Sequence, residues 1–192
     1  MFLCRFYAII SIWNYPLSEL LETRKIAIRE AGNRIIANTD FENRYFLSSL
    51  YAIYPKSAEN ELSLLYLLGI LNSRLATYYV TLIAFNLTKG AFTKVRTNQL
   101  ARLPIRPIDF SNPTEKAQHE KLVALVDSML EHQKKFHGAR TERDKELYER
   151  QIKIVDAQID RLVYDLYGLT EEGGGEGGRC ALRTVVPNRK IG

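Results

Sequence analysis

Cysteine, histidine and tryptophan are scarce in this 192-residue chain: two, three and one respectively. Cys4 and Cys180 stand near opposite ends, and no second cysteine lies at the short spacing that metal sites use. Three histidines cannot complete a four-ligand site alone, so a disulfide scaffold or zinc module is excluded as an expectation. The motifs of common chemistries are missing too. There is no phosphate-cradling glycine loop, no Gly-x-Ser-x-Gly elbow and no His-Glu-x-x-His. Metal-dependent nucleases place a carboxylate two residues before a lysine, and neither Asp-x-Lys nor Glu-x-Lys occurs. The Asn-Pro-Pro-aromatic loop that receives a flipped adenine is absent, since Asn112-Pro113 is followed by Thr114. No catalytic residue and no metal ligand is expected.

A leader peptide is not expected at the apolar N-terminus, because Arg5 interrupts it and no small-residue cleavage signal follows. This points to a cytoplasmic protein. Residues 62–85 are long enough to span a bilayer, but Asn72, Ser73 and Arg74 sit at the middle, and a central arginine costs about 2.5–3.5 kcal/mol on insertion. A core helix of a soluble domain is the expectation, with no membrane partner.

What the chain does have is uneven charge. Residues 1–110 hold 13 Lys and Arg against 8 Asp and Glu, whereas residues 111–192 hold 14 of each, so the whole +5 sits in the first part. Between Glu61 and Asp109 there is no acid, while Arg74, Lys89, Lys94, Arg96, Arg102 and Arg106 lie in that gap. Such a field favours a polyanion.

Two isoleucine-rich runs, 25–29 and 34–39, flank a Gly32-Asn33 pair suited to a tight turn and read as a hairpin. A third strand is expected over 45–54, stopped by Pro55. In 62–85 the residues Leu64, Leu68, Leu71, Leu75, Tyr78 and Leu82 recur at steps of four and three, which predicts one helix with one buried stripe. The prolines at 104 and 107 confine 103–108 to an extended path. Thr114 is placed to cap a helix from Glu115. Leu122, Val126, Met129, Gln133 and Phe136, and after Gly138 Tyr148, Ile152, Val155, Ile159, Leu162 and Leu166, repeat like a coiled-coil seam. They predict an antiparallel two-helix hairpin ended by Gly168. The fold class is therefore α+β: a small mixed sheet with a buried core helix, then the hairpin. The expected division is a lead-in at 1–23, a recognition domain at 24–110, the hairpin at 111–170 and a flexible glycine-rich tail at 171–192.

His119, His132 and His137 are expected on solvated helix faces, as are the hairpin acids, Asp156 and Asp160 among them, interleaved with lysine and arginine. The strongest binding candidate is 86–102. There Lys89, Lys94 and Arg96 can neutralise phosphates, Asn98 and Gln99 carry the amide that pairs with adenine edges, and Gly90 allows close backbone approach. The alternative is a solvent loop in which Thr97 or Asn98 caps the following helix.

Five pieces in order carry a resemblance. They are Lys-Ile-Ala-Ile-Arg-Glu-Ala-Gly-Asn-Arg-Ile-Ile-Ala-Asn-Thr-Asp at 25–40, Tyr-Phe-Leu-Ser-Ser-Leu-Tyr at 45–51 and Leu-Leu-Gly-Ile-Leu-Asn-Ser-Arg-Leu at 67–75. Phe-Thr-Lys-Val-Arg-Thr-Asn-Gln-Leu-Ala-Arg-Leu-Pro-Ile at 92–105 and Ile-Asp-Arg-Leu-Val-Tyr-Asp-Leu-Tyr-Gly-Leu at 159–169 complete the set. Over residues 24–172 the chain resembles the TaqI-like C-terminal specificity domain of type II restriction-modification enzymes and adenine-specific DNA methyltransferases. The first twenty or so residues and the glycine-rich tail depart from that pattern.

The resemblance implies a non-catalytic domain that reads duplex DNA, while a separate methyltransferase or restriction catalytic domain binds S-adenosylmethionine; this chain itself needs no cofactor. It points first to Phe92, Lys94, Arg96, Asn98 and Gln99, with Lys89 beside them, and second to Arg29, Asn33 and Arg34. Arg74 could bridge a buried carboxylate or reach phosphate. The rival expectation is a protein-interaction module assembling through the hairpin, with a homodimer as one form.

Overall fold

A computed structural model describes residues 7–11, 24–32, 34–40, 49–55, 63–85 and 95–169. Four strands, β1 (Tyr7–Ser11), β2 (Lys25–Arg29), β3 (Ala37–Asp40) and β4 (Leu50–Pro55), form one sheet in the order β1-β4-β2-β3. Every pairing is antiparallel, so the expected mixed sheet is corrected to a uniform one. The 25–40 hairpin forms in the register Lys25↔Asp40 to Ile28↔Ala37, its second strand beginning three residues later than expected. The lead-in at 1–23 contributes β1, which pairs with β4 from Tyr7↔Pro55 to Ser11↔Tyr51. Pro55 is the last residue of β4, as its missing N–H requires.

Residues 62–85 do not form one helix. Chain direction breaks at Ser73 (φ −65°, ψ 154°), between α1 (Leu64–Asn72) and α2 (Arg74–Phe85). No proline or glycine causes the break; three side-chain contacts do. Asn72 accepts from Ala37 N–H through Oδ1 at 2.9 Å and donates through Nδ2 to Ala37 O at 3.0 Å, pairing with the free edge of β3 as a further strand would. Ser73 Oγ donates to Ile70 O at 2.7 Å and accepts from Ala76 N–H at 3.2 Å, closing one helix and opening the next. Arg74 N–H donates to Asp160 Oδ1 at 2.8 Å. The break re-phases the predicted stripe. In α1 Tyr66 to Leu71 are all buried, whereas α2 buries Ala76 and Val80 and leaves Leu82 48% exposed.

A short helix, α3 (Thr97–Leu100), follows, then the extended 103–108 segment with Leu103 and Ile105 buried. The hairpin is α4 (Pro113–Gly138) and α5 (Glu142–Leu166). Asn112, not Thr114, caps α4: its Oδ1 accepts from Thr114 N–H at 2.9 Å, and Pro113 fills the first helical position, where no N–H is needed. Thr141 caps α5 through Asp144 N–H at 3.1 Å, and Gly168 ends it at φ +65°.

Leu122, Val126, Val155, Ile159, Leu162 and Leu166 of the predicted seam are buried, and Met129, Gln133, Phe136, Tyr148 and Ile152 are half-buried. The buried part of the seam belongs to the same apolar core as Ile26, Ile28, Ile53 and α1. Gly69 makes this possible, since a Cβ there would stand 2.9 Å from Val126 and 3.0 Å from Leu122. His119 is also buried, contrary to the solvated face expected. Its ring centroid lies 5.0 Å from Tyr66 and 5.1 Å from Phe110, and burial pulls its pKa down.

The root of the hairpin is tied down. Tyr167 donates its hydroxyl to Pro104 O at 2.6 Å, and its phenol is pushed up to about 12 by burial. Arg106 donates to Leu166 O and pairs with Glu115 at 3.1 Å, while Tyr66 donates to Arg106 O at 3.1 Å. Among the described residues no helix is long and apolar enough to cross a membrane.

Candidate nucleic-acid interface

The two segments singled out for DNA contact meet. Val95 N–H donates to Glu30 O at 2.9 Å, which lays the start of α3 beside the turn leaving β2. Arg29, Arg34, Arg96 and Asn98 are exposed, with Arg102 four residues after Asn98. Behind them Tyr51 shares a hydrogen bond with the Glu30 side chain and feels the Arg96 charge; burial first, and Glu30 second, push its phenol pKa up. Asn33, Lys89, Phe92 and Lys94, and the tail at 171–192, lie outside the described residues.

Gln99 does not face a groove. It is 4% exposed, and its Oε1 accepts from the backbone N–H of Arg96 at 2.9 Å, satisfying a donor at the start of α3. The residue expected as an adenine reader therefore holds Arg96 in place. The N-cap position is Arg96 itself, not Thr97 or Asn98.

Arg74 resolves towards the carboxylate. Its Nε lies 3.0 Å from Asp160 Oδ2, with Asp160 buried and the arginine side chain 77% exposed. Asp160 was expected on a solvated face; instead its burial raises its pKa, while Arg74 and the nearby Arg34 charge oppose the rise. The carboxylate fixes one edge of the guanidinium and leaves the rest of that group to solvent. Arg74 and Arg34 thus share one acid.

Not all of the front-half charge is free. Lys25 Nζ lies 2.8 Å from Asp40 Oδ2 across the β2–β3 ladder, both fully enclosed, and Arg106 is committed to Glu115. Among the described residues, Arg29, Arg34, Arg96 and Arg102 are exposed arginines of this part, and Arg74 is held by Asp160. Sequence reasoning missed Asp160, which a charge pattern along α5 alone cannot single out. No group of three His, Cys, Asp or Glu that could hold a metal is found among the described residues.

Comparison with known proteins identifies the family. Residues 6–105 match the TaqI-like C-terminal specificity domain family. The chain belongs to that family. The match starts well before residue 24, so the specificity-domain pattern includes β1 and the lead-in that looked divergent. It ends after Ile105, where the strand-like 103–108 segment is clamped, and the hairpin follows it. The chain is also 27% identical over 168 residues to the type II restriction enzyme and methyltransferase RM.Eco57I of Escherichia coli, covering 82% of this chain. It spans 16% of the length of that relative.

Proposed function

We propose that this specificity domain reads duplex DNA for a restriction-modification enzyme and performs no chemistry itself, methyl transfer from S-adenosylmethionine or strand cleavage belonging to a separate catalytic domain. The observation that carries the reading is the hydrogen bond joining Val95 to Glu30, which brings the exposed Arg96 next to the turn that follows the exposed Arg29, from segments more than sixty residues apart. Exposed arginine forks suit phosphate oxygens, and Asn98, two residues after Arg96, is an exposed amide that can pair with a base edge. Gln99 and Asp160 act as positioning residues, the first for the backbone of Arg96 and the second for the guanidinium of Arg74. The hairpin seam is closed within one chain, so self-association is not required to bury it.

Fluorescence anisotropy of the full chain with duplex DNA at several salt concentrations tests this. Affinity should fall as salt rises, and Arg96→Ala should reduce the magnitude of the log–log slope by about 0.9 for the phosphate it no longer neutralises. Asn98→Ala should change preference at one base position by about 1–3 kcal/mol, with little effect on that slope. Salt-independent binding, or no binding at low salt with the chain folded, would overturn the reading.

A further inference from the structure

The outward side of α5 carries a second, unrelated pattern. Arg143, Leu147, Arg150, Ile154, Ala157 and Arg161 recur at alternating steps of four and three, and all six are exposed. At 100° per residue they lie within about 40° of a single line, which runs about 27 Å along the helix. Leu147 is 50% and Ile154 59% exposed, two of the four large apolar side chains among the described residues that remain in solvent. No acid falls on this stripe between Arg143 and Arg161.

Two of the nearby carboxylates are engaged with lysines, and Glu146 flanks the stripe between Arg143 and Arg150. Glu142 holds Lys145 at 2.8 Å and Glu149 holds Lys153 at 2.7 Å, and none of the three arginines has an ion pair among the described residues. The lysines are satisfied along the helix, while the arginines stand uncommitted between apolar side chains. Arginine with large apolar residues is the composition enriched where proteins meet, and uncompensated charge of one sign selects a partner of the other.

We propose that this stripe is a docking face for a partner protein that presents an acidic amphipathic helix. Such a helix lays leucine or isoleucine against Leu147 and Ile154 and sets glutamates opposite Arg143, Arg150 and Arg161. A second copy of this chain is a poor occupant, because the same stripe on both sides brings arginine against arginine. Nucleic acid is a poor occupant too, because phosphates neutralise the arginines but leave the two apolar side chains without contact. Residues 170–192 carry four basic and three acidic residues and offer no acidic stripe of their own.

The test uses the full chain and a labelled synthetic 25-residue helix-forming peptide with leucines at steps of four and three flanked by glutamates, beside a scrambled peptide of equal composition. Anisotropy should show binding of the patterned peptide over the scrambled one. Arg150→Glu or Ile154→Asp should weaken it about tenfold or more, and a peptide with lysines in place of glutamates should bind the Arg150→Glu variant better than the wild type. The substituted positions are in solvent, so melting curves should be unchanged. Equal binding of the scrambled peptide, or indifference to Arg150→Glu, overturns the proposal. So does a dimer in sedimentation that Ile154→Asp dissolves, which assigns the face to a second copy. A severalfold loss of DNA affinity in the Arg143→Gln, Arg150→Gln, Arg161→Gln triple variant assigns it to nucleic acid.

Discussion

The sheet-bearing part, residues 1–110, holds 13 positive side chains and the helical hairpin, residues 111–170, holds 10, and the two deploy them differently. In the hairpin, lysines are answered by acids three and four residues away on the same helix: Lys145 by Glu142, Lys153 by Glu149, Lys135 by Glu131. Such pairs add little stability and leave the surface close to neutral. In the front part, two pairs reach across the fold to buried acids. Lys25 meets Asp40 across two strands, and Arg74 meets Asp160 from another region of the chain. Among the described residues there, Arg29, Arg34, Arg96 and Arg102 remain exposed to solvent. Net charge by segment therefore locates the positive excess, whereas only the pairing identifies which of the described side chains stay in solvent.

The largest effect is expected where that contrast is sharpest. Replacing Lys25 by methionine removes one charged partner from the enclosed Asp40 carboxylate and should cost about 3–5 kcal/mol in denaturant unfolding. Tyr54, whose phenol is raised by burial and by Asp40, adds a local probe of the same pair. By contrast, Lys153→Ala on the hairpin surface should leave the melting temperature where it is, because both partners are in water. If the two variants lose similar stability, the distinction between enclosed and solvated pairing fails.

A second prediction concerns the seam between the two regions. Gly69→Leu forces side-chain atoms into the space held by Leu122 and Val126, and overpacking of this kind costs about 1–3 kcal/mol. The loss should be accompanied by faster hydrogen exchange at the α1–α4 contact and not at the hairpin tip. Exchange that rises equally everywhere would mean that the hairpin and the sheet lack a distinct junction.

The hairpin was legible in the sequence because each of its helices has one buried side, so that steps of four and three report the burial directly. Its capping was misread by two residues, since Asn112 and Pro113 form a better start than Thr114 alone. The β2–β3 pairing was legible for similar reasons. Residues 62–85 were not, because α1 is buried almost all round and loses its period, and because the break at Ser73 is imposed by distant partners, Ala37 and Asp160. The candidate site was half legible. Arg29, Arg34, Arg96 and Asn98 are exposed as a charge and amide pattern suggests, but a glutamine that caps a turn and one that reads a base are the same letters. Burial alone separates them.

The smallest effect expected is a pH dependence at the hairpin's root. His119 sits between Tyr66 and Phe110 with its pKa below the ordinary 6.5, because burial penalises the imidazolium and outweighs the nearby Glu120, which favours it. As pH falls through about 6.5, the unfolded chain takes up a proton at this position before the folded one does. Its contribution is therefore intact above that pH and declines below it. Unfolding midpoints measured between pH 7.5 and 5.5 should fall more for the wild type than for His119→Phe, which keeps a ring against both neighbours and has no proton to bind. Should the two chains lose stability in parallel, His119 is charged inside the folded protein, and the apolar contact joining hairpin to sheet is wetter than its packing implies.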